Sequence, residues 1–118
     1  MLVYALIALN VLTLVTGQVL FKLGLNRIGA LTLHNLLAVF LSPYILVGLM
    51  LYVIGTLVWF AILSRIQLSI AYPLQSLAYV LGLIASVTIL HEKVTPLNWI
   101  GTVVVLAGVV LISAQARL

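Results

Sequence analysis

Residues 2–23, LVYALIALNVLTLVTGQVLFKL, decide the fold. The stretch carries no charge before Lys22, and its length of about 20 residues is what a helix needs to cross a bilayer core of about 30 Å. It follows Met1 without a basic n-region or a small-residue cleavage site, and it is too long for a signal h-region, so it reads as a retained helix. Three further apolar runs have the same character and predict helices over 43–63, 69–90 and 96–113. Ser42 and Thr95 are placed to cap the second and fourth, with Pro43 and Pro96 at the first helical position, where a missing N–H costs nothing. The predicted architecture is an all-α integral membrane protein, a single domain over 1–118 built as a four-transmembrane-helix bundle.

Composition supports this reading. Hydrophobic residues make up 66% of the chain and charged residues 5%, and the mean hydropathy is +1.44. A soluble domain carries roughly 25% charged residues. There is no cysteine, which excludes disulfides and thiolate metal sites. The net charge of +4 comes from the scattered Lys22, Arg27, Arg65, Lys93 and Arg117 against Glu92. Such charges serve as anchors at the membrane surface and form no nucleic-acid patch. No phosphate loop, metal-spaced cluster or nucleophile triad occurs, so no enzyme activity, cofactor, catalytic residue or metal ligand is expected.

Short linkers around Arg65 and around His91-Glu92-Lys93 make the last three helices antiparallel neighbours. Residues 25–41 are longer and mixed, and fit either an interfacial segment or an early extension of the second helix. Lys22, Arg27 and Lys93 then share one membrane side, and Arg65 and Arg117 the other. The split is nearly even, so the positive-inside rule gives little bias. Either the chain inserts both ways and forms antiparallel dimers, or a partner subunit fixes its orientation.

At 100° per residue, Asn10, Thr13, Gly17, Gln18 and Lys22 gather on about half of the first helix, with Leu14 and Phe21 in the middle of that arc. Lipid satisfies neither an amide nor an ammonium, so this face looks at protein or at a hydrated cavity. Lys22 either snorkels to the interface or anchors an anionic substrate group. In the third helix Tyr72, Gln75, Ser76, Tyr79, Leu83 and Ser86 fall within about 100° of arc. Such a stripe serves interhelical hydrogen bonds or the hydroxyls of a sugar. Pro73 either ends the first turn there or kinks the helix. Gly48, Tyr52, Gly55 and Trp59 align on the second helix for close packing. Gly101 and Gly108 make the fourth an association surface, outside any transport path. Glu92, the single side-chain carboxylate, follows a helix C-terminus, where the dipole disfavours it, so Lys22 or Arg27 is expected to pair with it as a loop clasp or gate. His34 and His91 read as interfacial residues.

Gly17-Gln18 with Lys22, Ile70-Ala71-Tyr72-Pro73, His91-Glu92-x-Val94-x-Pro96, Trp99-x-Gly101 and Ala107-Gly108-Val109 together resemble the small multidrug resistance branch of the drug/metabolite transporter superfamily. The Ala-Tyr-Pro and His-Glu elements are most similar to the small subunits that flip 4-amino-4-deoxy-L-arabinose linked to undecaprenyl phosphate. The resemblance implies a four-helix bundle of that type that dimerises through Gly101 and Gly108. Proton-coupled members carry an essential acid at the position of Leu14, and the aminoarabinose subunits lack it, as this chain does. The implied function is translocation of a polyprenyl-phosphate-linked sugar across the bacterial inner membrane, supporting lipid A modification. The implied partner is a similar small subunit, in a homodimer or heterodimer. On that reading Lys22, with Arg65 at the opposite mouth, holds the phosphate. Asn10, Thr13, Gln18, Tyr72, Gln75, Ser76 and Tyr79 hold the sugar. The rival readings are a proton-coupled exporter of small cations or polar metabolites and a non-transporting accessory subunit.

Overall fold

The computed structural model describes residues 2–115, so Arg117 lies outside the described residues. Among the described residues six helices follow one another: α1 Leu2–Ile28, α2 Leu36–Leu41, α3 Pro43–Leu63, α4 Leu68–Gln75, α5 Leu77–Thr88 and α6 Pro96–Gln115. No strand occurs among the described residues. Four spans are long and apolar enough to cross a membrane: α1, α3, α4 with α5, and α6. The protein is a four-helix membrane bundle.

Helix α1 passes residue 23 and ends five residues later, where Gly29 adopts φ +104 and its N–H bonds the Leu25 carbonyl at 2.7 Å. That is the glycine stop in which a left-handed residue satisfies a terminal carbonyl. Gly24 does not end the helix because it packs against Ile45 and Tyr44, where a Cβ would meet atoms at 3.1 Å. The segment 25–41 is therefore divided: its start extends α1, and its end forms the separate α2. Between them Thr32 and Asn35 bond reciprocally, the Thr32 N–H to Asn35 Oδ1 at 2.7 Å and the Asn35 N–H to Thr32 Oγ1 at 3.4 Å. Helix α2 cannot run on into α3, because Pro43 pushes the preceding Ser42 into extended backbone, ψ 132.

The Ser42 hydroxyl makes no capping bond; only its carbonyl enters α3, accepting the Leu46 N–H at 2.9 Å. Thr95 does cap, its Oγ1 accepting the Asn98 N–H at 3.3 Å. Pro73 kinks the third span: α4 stops at Gln75, and both the N–H and the hydroxyl of Ser76 turn back to the Pro73 carbonyl. The Tyr79 N–H reaches the Ser76 carbonyl at 2.9 Å, a tightened turn that starts α5.

Helices α1 and α3 are antiparallel and close. A Cβ on Gly17 would lie 3.2 Å from the Gly48 carbonyl, and one on Gly48 would lie 2.7 Å from the Phe21 ring. This is the small-residue seam of membrane helices, in which van der Waals contact replaces the missing hydrophobic drive. The buried core of Ile7, Val11, Ile62, Ala71, Leu74 and Val109 sits in the half of the bundle nearest the two termini. The larger, more polar cavity lies toward the other end, which carries the Glu92 loop.

Candidate functional site: a polar cavity with charges at its rim

The half nearest the Glu92 loop holds a cavity of about 1050 Å³. Helix α1 contributes Leu14 and Gln18; α4 and α5 contribute Tyr72, Gln75, Tyr79, Leu83 and Ser86, with Ser76 at the kink. The 3.6-residue period put these side chains on facing arcs, and the kink keeps them there: the turn at Ser76 carries the stripe from α4 into α5 on one side. Leu14 lies on the cavity wall. The walls are therefore uncharged along α1, α4 and α5.

Helix α6 is part of this cavity, contrary to the expectation that it lies outside the path. Leu97, Asn98, Gly101, Thr102 and Val105 line it, and Tyr52 joins them from α3. The sequence carried a signal for this: Asn98 and Thr102 are four residues apart on one helical face, with Gly101 beside them. Gly101 and Gly108 have nothing within 4 Å of where a Cβ would stand. Their face has no partner among the described residues.

Three expected substrate contacts lie elsewhere. Asn10 is 1% exposed; its Nδ2 donates to the Gly55 carbonyl at 2.8 Å and its Oδ1 accepts Gln75 Nε2 at 3.0 Å. Its amide thus ties α1 to α3 and to α4. A polar group at this depth is costly unless paired, and these bonds pair it. The Thr13 hydroxyl turns to its own helix, to the carbonyls of Leu9 at 3.0 Å and Asn10 at 2.9 Å, and fills the space over Gly55. Arg65 is exposed in the turn after α3, at the end nearest the termini, and is not brought to the cavity. Gln75 does both jobs: its Nε2 donates to Asn10 Oδ1, and the residue lines the cavity.

Charge gathers at the rim. Lys22 stands one turn beyond Gln18 on α1, and its Nζ lies 3.7 Å from Glu92 Oε2; the two side chains are 49% and 43% exposed. Arg27, the other possible partner, instead lies over the Tyr44 ring at 4.9 Å. Glu92 lines the cavity. It is held there because His91 takes φ 55, which lets the Glu92 N–H reach back to the Ser86 carbonyl at 2.8 Å. Histidine is among the non-glycine residues that tolerate this region, at some cost. No group of three metal-binding side chains occurs among the described residues. A second cavity, about 730 Å³ and apolar, lies on the other side of α5 between Ile7, Val11, Leu77, Val80 and Val109.

The profile of the EamA-like transporter family matches residues 1–114. The chain is 34% identical, over 97% of its own length and 94% of the other's, to a protein of Serratia proteamaculans named "probable 4-amino-4-deoxy-L-arabinose-phosphoundecaprenol flippase subunit ArnF". It is 35% identical to a protein of Aeromonas salmonicida named as the ArnE subunit of the same flippase, over 60% of this chain and 62% of the other. A Pseudomonas fluorescens protein of that same name is 33% identical over 64% of this chain and 66% of its own. No solved structure matches significantly.

Proposed function

The chain belongs to the EamA-like transporter family, as a multi-pass protein of the bacterial inner membrane and a transporter subunit rather than an enzyme, and on that footing we propose that it flips a polyprenyl-phosphate-linked sugar. The observation that carries this is the division of the cavity: uncharged donors and acceptors on its walls, charges at its rim. Hydroxyls and amides on both sides suit the hydroxyls of a sugar ring, which carries no charge to be matched inside. Lys22 at the rim suits the phosphodiester, which stays near the membrane surface. The polyprenyl tail remains in lipid, passing out through a gap between helices.

The proton-coupled exporter reading fits this geometry less well. Its carboxylate belongs on the wall where Leu14 stands, and the one acid of the chain is at the rim, beside a lysine. One chain also leaves the cavity open along α6, so a second small subunit completes it, against the face of Gly101 and Gly108. The substrate class, the phosphate anchor and the dimer are the parts of this proposal that experiment must decide.

Reconstitution in liposomes tests it, with the purified chain alone and with a second small subunit, comparing a polyprenyl-phosphate sugar with a cationic drug. Glycolipid translocation is expected, and Lys22→Ala should reduce it about tenfold at normal expression and association, the loss of one charged contact. Translocation only with the second subunit identifies a heterodimer. Drug movement that needs a proton gradient, with no glycolipid movement, overturns the proposal in favour of an exporter. Unchanged flipping in Lys22→Ala overturns the phosphate anchor alone.

A further inference from the structure

We propose that the apolar cavity between α1 and α6 binds one acyl chain of a bilayer phospholipid, from the leaflet that surrounds the end of the bundle nearest the termini. This site is separate from the polar cavity and does not depend on what that cavity carries. Helices α1 and α6 face each other without packing: among the described residues their Cα atoms nowhere come within 8 Å. Helix α6 rests on α4 and α5 alone, and it is the least buried of the four spans. The two helices therefore wall a cleft whose floor is the third span. Toward Glu92 the cleft is polar, with Gln18 on one wall and Asn98 and Thr102 on the other. Toward the termini it is the cavity of about 730 Å³, with Ile7, Ala8 and Val11 facing Val109 and Val110. Its two hydroxyl-bearing residues, Tyr4 and Ser113, lie at the surface end, in the first turn of α1 and the last turns of α6.

Depth, volume and chemistry select the occupant. From Tyr4 to Leu12 the cavity follows α1 for about 12 Å at 1.5 Å per residue. One leaflet supplies about 15 Å of the hydrocarbon core, so the cavity spans a single leaflet. Water does not fill walls of this kind, because it finds no polar partners there. A methylene group takes about 30 Å³, close to the share of a water molecule in its liquid, so 730 Å³ accepts one chain of about 16 carbons and not two. An undecaprenyl chain, with about 55 carbons, needs more than twice that volume on the same measure. A second subunit is expected elsewhere: Val109, Val110 and Ser113 lie about 100° to 160° around α6 from Gly108, which does not line this cavity. The gain on binding is dispersion contact along concave walls, since the chain leaves one hydrocarbon medium for another. The ester and phosphate oxygens of the lipid then come to lie at the level of Tyr4 and Ser113, among the hydroxyl and aromatic groups of the interface. A chain seated there gives α6 a second support, on the side where α1 does not reach it.

The test purifies the chain, with whatever subunit its transport requires, in mild detergent containing palmitoyl-oleoyl phosphatidylethanolamine. Lipid retained after detergent exchange is counted by native mass spectrometry. Wild type should retain one phospholipid per chain. Ala8→Trp and Val110→Trp place an indole in the cleft from opposite walls, and each should lower retention at least about tenfold. Both positions are exposed, so neither change disturbs the buried core. Leu9→Trp, on an exposed face of α1 outside the cavity, should retain the lipid as wild type does. Adding the lipid should raise the unfolding temperature of wild type and of Leu9→Trp, and leave that of the two cleft variants unchanged. No retained phospholipid in wild type, or retention in both cleft variants equal to that in Leu9→Trp, overturns the proposal. Displacement of the phospholipid by an equimolar polyprenyl phosphate overturns it in favour of a tail site. Disulfide crosslinking of Val110→Cys to a second subunit places a protein helix in the cleft and also overturns it. Each of these results leaves the flippase reading intact, because none of them measures translocation.

Discussion

Helix α1 makes two interfaces that differ in almost every respect. Against α3 it is sealed: Gly17 meets Gly48, Thr13 covers Gly55, and the Asn10 amide bonds the Gly55 carbonyl at 2.8 Å. Across the cavity it faces α4, α5 and α6 with Leu14 and Gln18, and there the glycines, Gly82, Gly101 and Gly108, have no atom within 4 Å of a Cβ. The same residue type therefore does opposite work on the two sides. In the seam, glycine lets two backbones touch. On the open side it leaves space, and on α6 that space faces outward beside strongly exposed residues such as Leu111, at 72%.

The comparison breaks most easily at Gly48. A Cβ there would stand 2.7 Å from the Phe21 ring and 3.0 Å from the Gly17 carbonyl, and the carbonyl cannot step aside. Gly48→Val is expected to destabilise the fold by about 1–3 kcal/mol, the cost of overpacking a filled interface. Denaturant titration of the purified protein in detergent, followed by tryptophan fluorescence, measures it. Stability equal to wild type would mean that α1 and α3 are not a rigid unit. Asn10→Leu comes next, with an expected loss of about 1 kcal/mol, since hydrogen bonds between membrane helices are individually modest. That change also frees Gln75 from its bond to Asn10. Transport should therefore fall by more than the stability loss explains, and the ratio of initial rate to folded fraction is the quantity to compare.

How much of this was legible in the sequence depended on whether one helix face was enough to decide it. The polar stripe of Tyr72, Gln75, Ser76 and Tyr79 and the arc through Leu14, Gln18 and Lys22 were readable because side-chain direction follows from the helical period alone. The break near Pro73 was readable because proline removes a backbone bond in any surroundings. What a polar residue meets was not. Asn10 and Gln18 share an arc, yet Asn10 turns to α3 and Gln18 to the cavity, because the arc is wide enough to span two neighbours. The sequence reading ended α1 at Leu23, and the helix runs on to Ile28 through Gly24, on which Ile45 and Tyr44 pack. Helix α6 was read as an association surface alone because its glycines drew attention away from Asn98, which lies where an interfacial belt is also expected yet lines the cavity.

The smallest effect on folding sharpens the comparison most. Gly101→Val adds an isopropyl group at a position where no atom lies within 4 Å of the new Cβ, on a helix whose neighbouring Val103 and Val104 are already exposed. Within one chain such a change should alter stability by no more than about 0.5 kcal/mol, the usual range for an unpartnered surface position. The Cβ nonetheless stands at a point that lines the cavity and borders the open face, so it should hinder the close approach of a second subunit. Unchanged unfolding together with weakened association, read by crosslinking or by energy transfer between labelled chains in liposomes, would give opposite outcomes for the same kind of substitution at Gly48 and Gly101. Association and transport as strong as wild type would place the partner on another face, and the cavity would then have to be completed from a side other than α6.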